Sequence, residues 1–144
     1  MRDTSRKAVG EVRVMVRLTN VGDRLMVERG LLDAQKVRSC EVEAIVDTGA
    51  TRSVIPRHIA DELGLITSRE AKATLADGTA IRVGRSDPVY FEIEGRDVAE
   101  DAYIVGDTVL IGQTILELAD LLVDCANRKV IPNPAHPDGP VLRI

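Results

Sequence analysis

One octet, Ala44-Ile45-Val46-Asp47-Thr48-Gly49-Ala50-Thr51, restricts this chain more than any other stretch. Three apolar residues run into an acid, and Thr-Gly follows at once. The apolar run reads as a buried strand. Thr-Gly reads as a sharp turn, in which Gly49 supplies a backbone shape or a close approach that a Cβ forbids. Asp47 therefore stands where a buried strand stops, on a constrained loop. A carboxylate in such a place is either well hydrogen-bonded or held out of bulk water for chemistry.

Upstream of the octet, Val12, Val14, Val16 and Leu18 alternate with Arg13, Met15 and Arg17, a strand with one buried face. Asn20-Val21-Gly22-Asp23 breaks it. Arg24 to Gln35 reads as a loop with a helical turn, because Gly30 interrupts the apolar spacing of Leu25, Met26, Leu31 and Leu32. Val37 to Val46 is the second strand, with Val42, Ala44 and Val46 on one face, and it delivers Asp47. Past the octet, Ser53-Val54-Ile55 leads to Pro56, which suits a helix's first turn. Ile59 and Leu63 lie one turn apart there, and Gly64 is a stop signal.

The dipeptide Asp77-Gly78, between Ala73-Thr74-Leu75-Ala76 and Thr79-Ala80-Ile81-Arg82-Val83, signals a hairpin with positive φ at both central residues. A second hairpin is expected from Val89 to Val105, turning at Gly95-Arg96. Val109-Leu110-Ile111-Gly112 then leads into a helix over 114–121 with Ile115, Leu118 and Ala119 facing inward. Leu121 to Asp124 and Lys129 to Ile131 read as a last strand pair turning at Asn127-Arg128. The Pro-rich stretch after it cannot be a central strand.

A chain of 144 residues is one domain with room for a core. Aromatics make up only 2%, so that core must be aliphatic. Its β-branched share favours strands. The net charge of −4, with no basic run, speaks against nucleic acid as a partner. No signal-peptide pattern or membrane span is legible, so a cytoplasmic location is expected and a membrane partner is not. Cys40 and Cys125 lie far apart and read as buried thiols. With His58 and His136 they show no metal-ligand spacing, so neither a metal nor another cofactor is expected. His58 has no nucleophile motif beside it, and Glu92, Glu94, Glu100 and Asp101 read as a solvated face.

The segment Ile45-Val46-Asp47-Thr48-Gly49-Ala50 resembles the active-site loop of aspartic proteases, above all the single-lobe, retropepsin-like kind. Leu110-Ile111-Gly112 resembles that family's second signature, and the order of strand, loop, strand and short helix also agrees. The resemblance runs over roughly residues 10–133 and is nearest to small bacterial stand-alone members. It implies a mainly β fold, the closed β-barrel-like single lobe of the acid proteases, with one or two short helices and a flap hairpin. Residues 1–10 would be a flexible N-terminus and 11–133 the protease domain. Residues 134–144 would be a Pro-rich tail and a candidate dimer contact, its last four residues being available to pair with a second subunit.

By the same resemblance Asp47 is the catalytic residue, and Thr48 and Gly49 support its loop. Ala50 and Leu110 line the substrate cleft, and Ala76, Asp77, Gly78 and Thr79 form the flap tip. Ile111 and Gly112 are structural, with Gly112 packed beneath the Asp loop. Such an endopeptidase activates water between two carboxylates, yet this chain has one Asp-Thr-Gly and no internal repeat. The second Asp47 must come from another copy, in a symmetric homodimer acting on a peptide or protein. A non-catalytic dimeric peptide-binding or regulatory module on the same fold is the alternative. Ala50 stands where two-lobed relatives have Ser, which implies a less acidic pair and a working pH nearer neutral. Thr51, Arg52 and Gln113 occupy places where viral relatives carry the partners of an intersubunit ion pair, which cannot form here in the same way.

Overall fold

The computed structural model describes residues 10–141. The expected flexible N-terminus up to residue 9, and three of the last four residues (142–144), lie outside them. Strand β1 (Val12–Asn20) buries Val12, Val14, Val16 and Leu18 and exposes Met15 and Arg17, as alternation requires. It does not end in a simple turn. The Asn20 side chain accepts from Asp23 N–H at 3.0 Å and caps α1 (Val21–Glu28), while its Nδ2 donates to the Leu63 carbonyl at 2.8 Å. Gly30 lies beyond that helix, at φ +71, and its N–H donates to the Val27 carbonyl at 3.0 Å. The glycine that the sequence offers as an interruption is thus the helix's C-terminal stop.

Strand β2 (Ser39–Val46) pairs antiparallel with β1 and sets Ala44 in the core, flanked by half-buried Val42 and Val46. Beyond the Asp47 loop come β3 (Val54–Ile55) and α2 (Arg57–Glu62), which starts after Pro56 and stops at Gly64, φ +64. Strands β4 (Arg69–Thr74) and β5 (Ala80–Arg85) form the first hairpin. Its turn differs from the expected one: Gly78 has positive φ and Asp77 does not. Gly78 N–H donates to the Leu75 carbonyl at 2.9 Å and Leu75 N–H to the Thr79 carbonyl at 2.8 Å. That is the three-residue loop with a left-handed glycine, which lets Asp77 stay in an ordinary conformation.

Strands β6 (Val89–Ile93) and β7 (Arg96–Glu100) turn at Glu94-Gly95, one residue earlier than expected, with φ of 51° and 75°. Here both central residues are left-handed, the geometry that matches strand twist. β8 (Tyr103–Ile104) leaves that hairpin after Asp101-Ala102 and joins β3 and β5. β9 (Val109–Ile111) enters α3 (Gln113–Ala119), which buries Ile115, Leu116 and Ala119. Leu118, expected inward, is 53% exposed. Ile115, Leu116 and Ala119 occupy adjoining positions on one helical face, and Leu118 falls at its margin. β10 (Leu121–Asp124) and β11 (Lys129–Pro132) make a separate two-stranded sheet.

The fold is mainly β, as the sequence implies, with three short α-helices among the described residues rather than one or two. Nine strands lie in the order β4-β5-β8-β3-β9-β2-β1-β6-β7, and among the described residues no pair joins β4 to β7 to close a barrel. The core is aliphatic apart from Phe91. The feature that positions the site is β9. It runs parallel to β2 on one side and antiparallel to β3 on the other, so the loop from β2 to β3 must cross the end of β9.

Candidate active site

The crossing loop is fastened at both ends and in its middle. Asp47 N–H donates to the Ile111 carbonyl at 2.9 Å. Gln113 N–H donates to the Ala50 carbonyl at 2.8 Å, and Thr114 N–H to the Thr51 carbonyl at 3.1 Å. Gly112 N–H donates to Ser53 Oγ at 3.0 Å. The free donors that begin α3 are thereby used to hold the loop. Gly112 has to be glycine: a Cβ there would lie 2.6 Å from the Arg52 carbonyl carbon and 2.9 Å from the Thr51 oxygen.

Asp47 itself is half-buried. Its Oδ1 accepts from Gly49 N–H at 3.0 Å, and Ala50 N–H donates to its carbonyl at 3.1 Å, closing the tight turn. Among the described residues its Oδ2 accepts no hydrogen bond. One oxygen is oriented by backbone and the other is free to engage water or a substrate, which suits a carboxylate meant for proton transfer.

Asp47 lines a cleft of ≈ 450 Å³. Its other walls are largely apolar: Val54, Ile81, Val83, Tyr103, Val105 and Leu110, with Ala73 to Ala76 from the hairpin. Gly106, Asp107 and Thr108, from the link between β8 and β9, complete it. A mainly apolar cleft with a few placed polar groups is the usual form of a ligand site. Among the residues singled out from sequence, Asp47, Leu110 and Ala76 meet here. Ala50 is half-buried in the loop, and Thr48 and Gly49 are exposed on it. Asp77, Gly78 and Thr79 are exposed at the hairpin tip and outside the cleft wall; Asp77 Oδ1 accepts from Thr79 N–H at 2.9 Å. Ile111 is buried beneath the loop.

The β4–β5 hairpin projects. Thr74 to Ala80 are all exposed, and from Ala80 to Val83 strand β5 pairs with β4 alone. Two register pairs at its root, Gly84 with Ile104 and Arg85 with Tyr103, join it to the rest of the sheet.

Several groups that serve the loop carry no sequence signal. Ser53 is fully buried and receives Gly112 N–H. The Thr114 hydroxyl lies 3.0 Å from the Thr51 carbonyl oxygen and 2.8 Å from Glu100 Oε1. Glu100 is itself buried and does not belong to a solvated acidic face. Asp101 is bound by Arg52 and Arg85. Each contact joins residues far apart in sequence, and only the topology brings them together.

Cys40 is half-buried, and burial pushes its thiol up to about 11, so it is a poor nucleophile. Cys125 is exposed on the turn between β10 and β11, against the expectation of a buried thiol, because the Asn127-Arg128 turn carries it outward.

A mainly β lobe whose Asp-Thr-Gly loop bridges the end of a strand carrying Leu110-Ile111-Gly112 falls in the retropepsin-like class. The chain belongs to the gag-polyprotein putative aspartyl protease family, whose profile matches residues 35–117, more than half of its length. That span holds Asp47, the β4–β5 hairpin and the second signature. No curated protein matches the chain. Family membership supports a protease function. Among the described residues, no helix is long and apolar enough to cross a membrane.

Proposed function

We propose that the protein is an aspartic endopeptidase acting as a symmetric homodimer, with one Asp47 from each copy at the two-fold axis. The observation that carries this reading is a cleft with a single Asp-Thr-Gly carboxylate, whose Oδ2 is unengaged and whose neighbours Thr48 and Gly49 are exposed. Thr48 makes no side-chain hydrogen bond among the described residues, which leaves its hydroxyl for the partner's loop. Of the paired carboxylates one is ionised and takes a proton from water. The resulting hydroxide attacks the scissile carbonyl carbon, while the other carboxyl, protonated, donates to the carbonyl oxygen. Collapse of the tetrahedral intermediate breaks the C–N bond as the leaving amine takes a proton. Two close carboxyls share one proton because they cannot both ionise freely, so the pair titrates as a unit.

The substrate is a peptide or protein lying along the apolar cleft, against Leu110 and Ala76. The β4–β5 hairpin, with Asp77, Gly78 and Thr79 at its tip, closes over it and excludes water. Ala50 carries no hydroxyl to hold the carboxylates charged, which favours a working pH nearer neutral.

The test is cleavage of a peptide library over a wide pH range by the parent and by Asp47→Asn, with and without a statine-type transition-state mimic. Sedimentation of the same samples reads the mass. The parent should cleave, the variant should not, and the mimic should inhibit. A parent that cleaves nothing and ignores the mimic, or a strict monomer that the mimic does not dimerise, overturns the reading. A parent that binds the mimic without cleaving any peptide points to a binding module.

A further inference from the structure

Asp101 stands in the two-residue link between β7 and β8, and its carboxylate divides between two distant segments. Oδ1 accepts from Arg52 Nη1 at 2.6 Å, and Oδ2 accepts from Arg85 Nε. Arg52 belongs to the Asp47 loop, and its backbone is the part that packs on Gly112. Arg85 is the last residue of β5, at the root of the projecting hairpin. Among the described residues neither guanidinium has another carboxylate partner. The Asp101 side chain is only 18% exposed, against 37% and 38% for the two arginines. Burial raises its carboxyl, but the Arg85 hydrogen bond and the charges of Arg52 and Arg85 outweigh that and hold it below the usual carboxylate range.

The neighbouring acid reinforces the placement. Glu100 reaches the same loop through Thr114, whose hydroxyl touches the Thr51 carbonyl. The end of β7 therefore holds two consecutive loop residues, Thr51 and Arg52. Only the second of these contacts extends to the hairpin.

We propose that Asp101 is a positioning residue that couples the β4–β5 hairpin to the Asp47 loop, so that closure over the substrate and alignment of the carboxylate occur together. This deepens the proteolytic reading and rests on it. The sign of the interaction gives the coupling its direction. With Asp101 ionised, loop and hairpin root attract one anion between them. Without it, two guanidinium groups face each other and the same two segments repel. A half-buried anion shared by two cations can be joined to both or parted from one, the kind of two-state contact that coupling between separated elements requires.

The experiment has two arms. The first is hydrogen exchange of residues 69–85 in the full chain, parent against Arg52→Met. Residue 52 makes no hydrogen bond to the hairpin, so a purely local role leaves exchange unchanged. Coupling speeds it, by about threefold or more. The second arm uses a peptide that the parent cleaves. Asp101→Asn should lower kcat/KM about tenfold, and Asp101→Glu should restore most of it. Arg85→Met and Arg52→Met should each lower kcat/KM by a similar factor, since either breaks the same link, and the double variant should lose no more than the worse single. Unchanged hairpin exchange in Arg52→Met overturns the proposal, as does a double variant whose losses multiply. If Asp101→Asn does not fold, the two arginine variants still decide. A parent that cleaves no peptide defeats the proteolytic reading and leaves the exchange arm to decide the coupling.

Discussion

Gly112 N–H donates to Ser53 Oγ at 3.0 Å, and both residues are buried. The preceding residue, Ile111, accepts from Asp47 N–H at 2.9 Å. Two successive residues of the second signature thus clamp the first and last residues of the loop. Ser53→Ala should leave a buried N–H without a partner, at a cost of about 1–3 kcal/mol. A urea titration reads this as a lower midpoint at unchanged slope. A midpoint equal to the parent's would show that the clamp does not hold the loop.

Gly112→Ala tests the same clamp from its other side. The new Cβ would stand 2.7 Å from the Arg52 carbonyl oxygen, which is backbone and cannot swing away. The loop must lift from β9, at a cost of about 1–3 kcal/mol for the overpacking. Activity should fall further than stability, because the lifted loop is the one that carries Asp47. Comparing the urea midpoint with kcat/KM for a cleaved peptide separates the two. Equal midpoints in parent and variant would contradict the close packing.

What the sequence made legible follows from where the information is local. The β1 alternation, the strand ending in Asp47, the Gly64 stop and the two hairpins are written within a few residues each. The Glu94-Gly95 turn lies one residue before the Gly95-Arg96 that the sequence offers, since turn position is set by the cross-strand pair that closes it, here Ile93 with Arg96. Gly30 reads as an interruption in sequence because a helix stop and a helix break look alike until the cap at Asn20 is known. Leu118 reads as inward on apolarity, but Leu116 is the leucine on the buried face of α3. In the site, Asp47, Leu110 and Ala76 line one cleft. Ser53, Thr114, Glu100 and Asp101 were not legible, because their partners are set by β9 lying between β2 and β3.

Arg38 and Asp23 form a second structural tie, remote from the cleft. Asp23 accepts from Arg38 Nε, Arg38 Nη2 and Arg38 N–H, each at 2.9 Å. The guanidinium lies against Gly64, where a Cβ would be 1.8 Å from Nη1. Arg38→Met should therefore cost about 1–3 kcal/mol, less than a fully buried pair because half of the arginine side chain is exposed. Gly64→Ala should destabilise by a second route as well, since its φ is +64. Thermal midpoints of the two variants and of their combination check this. Fully additive losses would show that Gly64 and Arg38 do not share a site.

Stability should fall in acid. Asp23 is held below the usual carboxylate range by the side-chain hydrogen bond from Arg38. Asp120 is held low by hydrogen bonds from Asn133 and His136. Asp101 is held low because Arg85 and Arg52 outweigh its burial. In each the folded value lies under the unfolded one of about 3.9. The stabilisation is therefore complete above that value and is lost as pH falls through the folded values. Thermal midpoints should be nearly level from about pH 7 to about pH 5 and drop steeply below about pH 4. A protease of strongly acidic optimum would be working where these ties release, so the pH–rate profile should peak nearer neutral. A peak near about pH 2 with an unchanged midpoint would contradict both the ties and the Ala50 argument.

A two-fold pair of Asp47 residues has a consequence in mixtures. If each active unit takes one carboxylate from each of two copies, Asp47→Asn subunits remove activity from the parent subunits they pair with. In an equal mixture with free exchange, parent–parent dimers are about a quarter of the total by random pairing. Activity per total protein should then be about a quarter of the parent's, not half. The variant retains the Gly49 contact in kind, since an amide oxygen also accepts an N–H, so loss of folding should not mimic the effect. Activity falling in simple proportion to the parent fraction, in samples shown by mass to exchange subunits, would mean that each copy works alone, and the single Asp-Thr-Gly would then need another carboxylate from within the chain. Among the described residues Asp107 is the other acid lining the cleft, so Asp107→Asn in the same assay would show whether it is that group.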